Sequence, residues 1–270
     1  MAKRRGVSVF RYYPWMRIVL LIFSSIAVVL FLVSEKPIRK PETIFEAEMP
    51  IRVEMGEFRE VTREEQLKNG KLIALTFDDG PSEHTAKLLD VLRVKNVPAT
   101  FFALGSRANA FPELIKREAD EGHEVESHTM NHKNLTTLGV EGARAEIAGA
   151  EQAICTSRGV GDGCVKFVRP PYGEINNTVR NVVGKPMIGW SIDTEDWKSK
   201  NPDEMLLRTI TKASDGTVIL MHDVYDTSVT GAEKIIDALK NEGYTFVTVE
   251  EMVQEKGVSL PAGSYYGRFD

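Results

Sequence analysis

The stretch Leu75-Thr76-Phe77-Asp78-Asp79-Gly80-Pro81 closes the apolar run Leu72-Ile73-Ala74-Leu75 with two adjacent carboxylates and a Gly-Pro breaker. An uninterrupted apolar run of this length reads as a strand buried on both faces. The Gly-Pro step ends it. Neighbouring side chains at a strand end point in different directions, so Asp78 and Asp79 can take different tasks, one holding a metal and the other moving a proton. A surface Asp-Asp-Gly turn has the same local spelling. The rest of the chain therefore has to decide between them.

From Lys71 onward, short apolar runs alternate with amphipathic stretches. Strand candidates are Leu72–Phe77, Ala99–Leu104, Val125 with its flanks, Phe167–Arg169, Met187–Ser191, Thr217–Met221 and Thr245–Val249. Helix candidates between them are Glu83–Lys95, Pro112–Glu121, Gly142–Thr156, Pro202–Ala213 and Gly231–Glu242. Such alternation implies an α/β fold with a mostly parallel sheet covered by helices. About seven parallel strands suggest a distorted, incomplete (β/α) barrel rather than an open sheet. In either architecture the active residues belong at the carboxyl ends of the strands.

The 270 residues carry 34 basic and 39 acidic side chains, a net charge of -5. With no basic stripe in the body of the chain, nucleic acid is not an expected partner, and no protein partner is implied. The basic side chains Lys3, Arg4, Arg5, Arg11 and Arg17 precede an uncharged run, Ile18–Ser34. That run is expected to form a single-pass membrane anchor with the catalytic part outside the cell, or, if cleaved, a secretion signal. The expected organisation is 1–34 cytoplasmic N-terminus and anchor, 35–69 stalk, 70–257 catalytic domain and 258–270 tail. Cys155 and Cys164, separated by a Gly-rich loop, read as a disulfide; a metal site lacks further ligands close by.

Four further clusters follow strand candidates. His128-Thr129-Met130-Asn131-His132 spaces two imidazoles so that they can bind one ion, and with Asp79 they make a two-His, one-carboxylate ligand set. Arg169-Pro170-Pro171-Tyr172-Gly173 stiffens a strand exit, leaving Arg169 to pair a carboxylate and the Tyr172 amide to face an oxyanion. Asp193-Thr194-Glu195-Asp196-Trp197 and Leu220-Met221-His222-Asp223 supply a candidate general acid, His222, and Asp193 as its candidate carboxylate partner. Trp197, Tyr172 and Leu220 can line the apolar part of a pocket. His84 and His123 read as structural.

Taken together and in this order, the clusters resemble those of the polysaccharide deacetylases with the NodB-homology domain, carbohydrate esterase family 4. The resemblance spans roughly 68–257. It implies one divalent metal ion, most often zinc with cobalt an alternative, held by Asp79, His128 and His132. It implies Asp78 as general base, Arg169 as its partner, the Tyr172 amide on the oxyanion, His222 as general acid tuned by Asp193, and Trp197 and Leu220 as walls of the acetyl pocket. Lys133 departs from the proline that many relatives carry after the second histidine. The implied reaction is removal of N-acetyl groups from an N-acetylglucosamine polysaccharide, with peptidoglycan the leading substrate. Chitin or chitooligosaccharides and O-acetylated polymers are alternatives, as is a non-catalytic carbohydrate-binding protein. A two-metal phosphoesterase would need more carboxylates.

Overall fold

The computed structural model describes residues 62–270. Eight strands carry the fold: β1 Lys71–Asp78, β2 Thr100–Ala103, β3 Glu124–Ser127, β4 Met187–Ile188, β5 Ile192–Asp193, β6 Thr217–His222, β7 Tyr244–Val247 and β8 Tyr265–Tyr266. The main sheet runs β3-β2-β1-β6-β5 with every pair parallel. Strand β1 has three partners. Its first half pairs β7, its second half pairs β2, and β6 follows its other edge from Ile73 to Asp78. Single bridges from Ser127 to Val168 and from Val168 to Met187 carry the sheet onward to β4 and β8. The outcome is a distorted α/β barrel, as the alternation predicts.

Strand β1 is buried from Leu72 to Asp78 because it is covered on both faces. Ile73, Leu75 and Phe77 pack outward against Leu88, Leu89 and Leu92 of the helix Thr85–Lys95 and against Ile235, Ile236 and Leu239 of the helix Asp226–Asn241. Leu72 and Ala74 turn inward to Phe102, Val218, Val247 and Phe269. By the period of two, Thr76 and Asp78 continue that inward row, now polar, into the barrel mouth. The apolar run thus ends where the core ends.

Several expectations are refined. Phe167–Arg169 is a single bridge residue rather than a strand, although its backbone is bonded on both sides, to Ser127 and to Pro186 and Ile188. Two prolines follow at once and remove the donors that would extend it. Of the stretch Met187–Ser191 only Met187–Ile188 is strand, as β4, and the separate β5 begins beyond it at Ile192. Residues 258–270, set apart in the sequence as a tail, return to the barrel. Strand β8 pairs β4, Phe269 is buried, and Phe269 N donates to the Gly216 carbonyl at 3.0 Å. Cys155 and Cys164 form a disulfide.

The single-pass membrane placement requires correction. Among the described residues no helix is long and apolar enough to cross a membrane. The run Ile18–Ser34, on which that expectation rested, lies outside the described residues, as does most of the proposed stalk.

Strand β3 carries two acids, Glu126 buried and Glu124 partly buried. Glu124 Oε2 accepts from Thr100 Oγ1 at 2.7 Å and from Glu250 N at 3.1 Å. Glu126 Oε2 accepts from Lys166 N and Phe167 N. Burial pushes Glu124 from 4.5 to about 7, against the pull of those hydrogen bonds, and pushes Glu126 well up too. Between pH 4.5 and about 7 the folded chain therefore holds protons that the unfolded chain has released, and stability falls as pH rises through that window. At about 1.4 kcal/mol per pH unit the Glu124 displacement is worth on the order of a few kcal/mol. Glu124→Gln keeps an accepting oxygen and is expected to flatten the dependence. Urea unfolding at pH 5 and pH 8 checks this, and an unchanged pH slope in the variant would refute it.

Candidate active site

Five loops at the carboxyl ends of the strands converge on a pocket of about 520 Å3, lined by Asp78, Asp79, His128, His132, Tyr172, Trp190, Asp193, Trp197, Leu220 and His222. Seven non-glycine residues among those described have positive φ, and five of them stand on these loops: Asp79, Thr129, His132, Tyr172 and Glu195. Left-handed backbone is disfavoured for residues with a Cβ, so it persists where surrounding structure holds it. Strain is concentrated at the pocket.

Asp78 ends β1 beside His222 in β6 and Phe102 in β2. Arg169, fully buried, donates to Asp78 Oδ1 at 2.6 Å and to Thr76 Oγ1 at 2.8 Å. Its other donors reach the carbonyls of Ile188 and Gly189, and its guanidinium lies 3.9 Å over the Phe102 ring. Every arm of the buried cation is satisfied, which is what makes it tolerable inside a barrel. Burial raises the Asp78 pKa, with the charges of Arg169 and His222 pulling it back down.

Asp79 lies one residue beyond the strand with φ 73°. Its Oδ1 is buried and has no hydrogen-bond partner among the described residues, yet it lies 3.5 Å from His128 Nε2 and 3.5 Å from His132 Nε2. Two donors bound to one ion at about 2.1 Å stand roughly 3–3.5 Å apart. The ligand atoms of all three residues lie within 4.8 Å of one another. His128 Nδ1 is 2.7 Å from the Arg169 carbonyl, which can only accept, so Nδ1 carries the proton and Nε2 presents its lone pair. Burial pushes the His128 pKa down to about 3, keeping it neutral. The donor set fits a divalent cation.

The second histidine is held from behind. Glu146, buried on the helix Val140–Arg158, accepts from Asn131 N at 2.7 Å and Asn131 Nδ2 at 3.1 Å, and its carboxylate lies 3.2 Å from Lys133 Nζ. Lys133, the departure noted in the sequence, thus joins the clamp on the His132 turn. The exposed Tyr172 ring stands edge-on to His132 at 4.7 Å between centroids.

One assignment is corrected. Asp193 does not hold His222; Asp196 does. His222 Nδ1 is 2.8 Å from Asp196 Oδ1, and Asp196 Oδ2 accepts from His222 N at 2.7 Å and Ser228 Oγ at 2.6 Å. Asp193 instead accepts from Glu195 N at 2.7 Å, stabilising the turn while remaining on the pocket wall. The left-handed Glu195 redirects the chain and drives Asp196, fully buried, beneath the His222 strand end. Burial alone would lower the His222 pKa, but the Asp196 hydrogen bond and the charges of Asp196, Asp78 and Asp79 outweigh it and raise it to about 9.

Trp190 is a lining residue that the sequence did not single out for the pocket. It packs by Arg169 at 5.8 Å and against Gly173, where a Cβ would come within 3.0 Å of the indole. The only signal available was its position just before the Asp193 cluster. His123, buried, accepts from Ala99 N away from the pocket, a structural role.

The family model described as polysaccharide deacetylase matches residues 65–186. The chain is 41% identical over 200 residues to the peptidoglycan-N-acetylglucosamine deacetylase PgdA of Listeria monocytogenes, covering 74% of this chain and 42% of that protein. It therefore spans less than half the length of that relative. A peptidoglycan-N-acetylglucosamine deacetylase of Bacillus cereus is 40% identical over 193 residues, 67% of this chain and 68% of the relative. Among solved structures, a family 4 acetyl xylan esterase from Clostridium thermocellum in complex with a cobalt ion superposes with a TM-score of 0.69 at 34% identity, covering 73% of this chain and 98% of that one.

Proposed function

The chain belongs to the polysaccharide deacetylase family, and from that premise we propose that it hydrolyses the N-acetyl group of N-acetylglucosamine in peptidoglycan, releasing acetate and leaving a free amine. One observation carries the reading: a base candidate and an acid candidate of opposite environment flank a two-His, one-Asp cluster in a single pocket. A divalent ion, in this reading zinc, held by Asp79, His128 and His132, supplies polarisation of the acetamide carbonyl and of water.

The chain's own residues divide the remaining work. Asp78, anchored through Oδ1 by Arg169, turns Oδ2 towards His128 Nε2 at 3.7 Å and takes the proton of the attacking water as general base. The Tyr172 amide, on its left-handed turn, stabilises the negative oxygen that develops on the former carbonyl. His222, held at Nδ1 by Asp196, gives the proton on Nε2 to the departing sugar nitrogen. Trp197 and Leu220 enclose the acetyl methyl group, and Trp190 extends the wall. The names of the two peptidoglycan deacetylases at about 40% identity support the substrate.

The test is acetate release from purified peptidoglycan by the zinc-loaded chain, with chitooligosaccharides and acetylated xylan in parallel. Release from peptidoglycan that a chelator abolishes and added zinc restores is the expected result. Release from xylan alone would move the reaction from an amide to an ester. No release from any of the three, with zinc bound, would leave a carbohydrate-binding protein.

A further inference from the structure

We propose that Asp223 is a positioning residue for the metal-ligand loop, acting on Asp79 through Gly80 and Thr85; the proposal rests on the reading of Asp79 as a ligand. Asp223 follows His222 directly, but it points away from the pocket and is almost wholly buried. Residues 80–85 wrap around it. Its carbonyl accepts from Ser82 Oγ at 2.6 Å, and its Oδ2 accepts a very short hydrogen bond from Thr85 Oγ1. Thr85 Oγ1 accepts in turn from Ser82 N at 2.8 Å, and Ser82 Oγ from His84 N at 3.0 Å.

Gly80 shows how tight the packing is. A Cβ built there would lie 2.1 Å from both carboxylate oxygens of Asp223, far inside any contact distance. The glycine after the two aspartates is thus required by a side chain more than 140 positions downstream rather than by its own backbone, since it is not among the positive-φ glycines. Gly80 O also accepts from Leu104 N at 3.0 Å, fixing the loop's other edge. Between these anchors Asp79 is kept at φ 73°, a conformation an aspartate would otherwise leave, with Oδ1 turned to the two imidazoles. Asp223 belongs neither to the pocket lining nor to the Asp79, His128 and His132 group. Its contribution is to hold the third ligand still before an ion arrives, which appears in metal affinity.

The experiment is a zinc competition titration on the full chain, comparing the unaltered protein with Asp223→Ala, Thr85→Val, Thr85→Ser, Gly80→Ala and the double variant Gly80→Ala/Asp223→Ala. Near-UV circular dichroism confirms that each is folded. Zinc Kd is expected to rise at least tenfold in Asp223→Ala, Thr85→Val and Gly80→Ala, and to recover in Thr85→Ser, which keeps the hydroxyl. The double variant is expected to be no weaker than Gly80→Ala alone, because removing the carboxylate makes room for the methyl group. Thr85→Val is the mildest change and keeps the test decisive where Asp223→Ala does not fold. Unaltered Kd in Thr85→Val, or full multiplication of the two losses in the double variant, would overturn the proposal while leaving the metal site standing. Failure of the unaltered protein to bind zinc would overturn both.

Discussion

Asp78→Asn is expected to lower kcat by about 10²–10⁴, the usual contribution of a positioned general base. Asparagine cannot take the proton of water, while its carbonyl still accepts from Arg169. The acid side of the pH profile distinguishes loss of the base from general damage. In the unaltered protein activity rises as Asp78 ionises, at a pH above the ordinary carboxylate range because burial raises it. In the variant that rise should vanish, leaving a low, flat acid limb with KM little changed. Removing the negative charge also leaves the buried Arg169 cation without its counter-ion, a change worth about 3–5 kcal/mol where it has been measured. A lower Tm is therefore expected alongside the kinetic loss, and rates are to be compared below that Tm. A variant that keeps both the acid limb and a comparable kcat would remove Asp78 from the mechanism.

Asp196→Asn is expected to shift the opposite limb. His222 is useful as an acid only while protonated, and its pKa near 9 depends chiefly on Asp196 once burial has been overcome. Without that charge the pKa should fall to 6.5 or below, because burial now acts with less opposition. At pH 8 only about one imidazole in thirty would then carry the proton. The alkaline limb should move down by about two pH units, with the largest loss at pH 8–9 and the smallest near pH 6. Asp193→Asn provides the contrast: since Asp193 bonds Glu195 N and not His222, the alkaline limb should stay in place. A shift in Asp193→Asn of the size expected for Asp196→Asn would reverse the assignment made from the geometry.

The two carboxylates also show where legibility in the sequence ends. Asp193 and Asp196 are three residues apart and both follow a strand, so spacing alone does not say which reaches His222. The left-handed turn at Glu195 decides it, and nothing in the identity of a glutamate announces positive φ. Trp190 escaped for a related reason: β4 and β5 are two residues each, too short for periodicity to define their faces. Strand β8 and the return of residues 258–270 to the barrel were hidden in the same way.

What the sequence determined by itself was the alternation that makes an α/β barrel, the strand end that carries Asp78 and Asp79, and the grouping of chemistry-bearing residues after strands. These are local properties: apolar period, chain breakers and spacing act over a few residues and survive without knowledge of the partner. Beyond the Arg169–Asp78 pair that the resemblance implied, only the tertiary structure decided which groups meet across the barrel. Asp196 meets His222, and Asp223 fills the space that makes Gly80 necessary. Those contacts join residues from 26 to more than 140 positions apart. They depend on strand register and on left-handed loop residues, and both are set by the packing of the whole sheet rather than by any one segment.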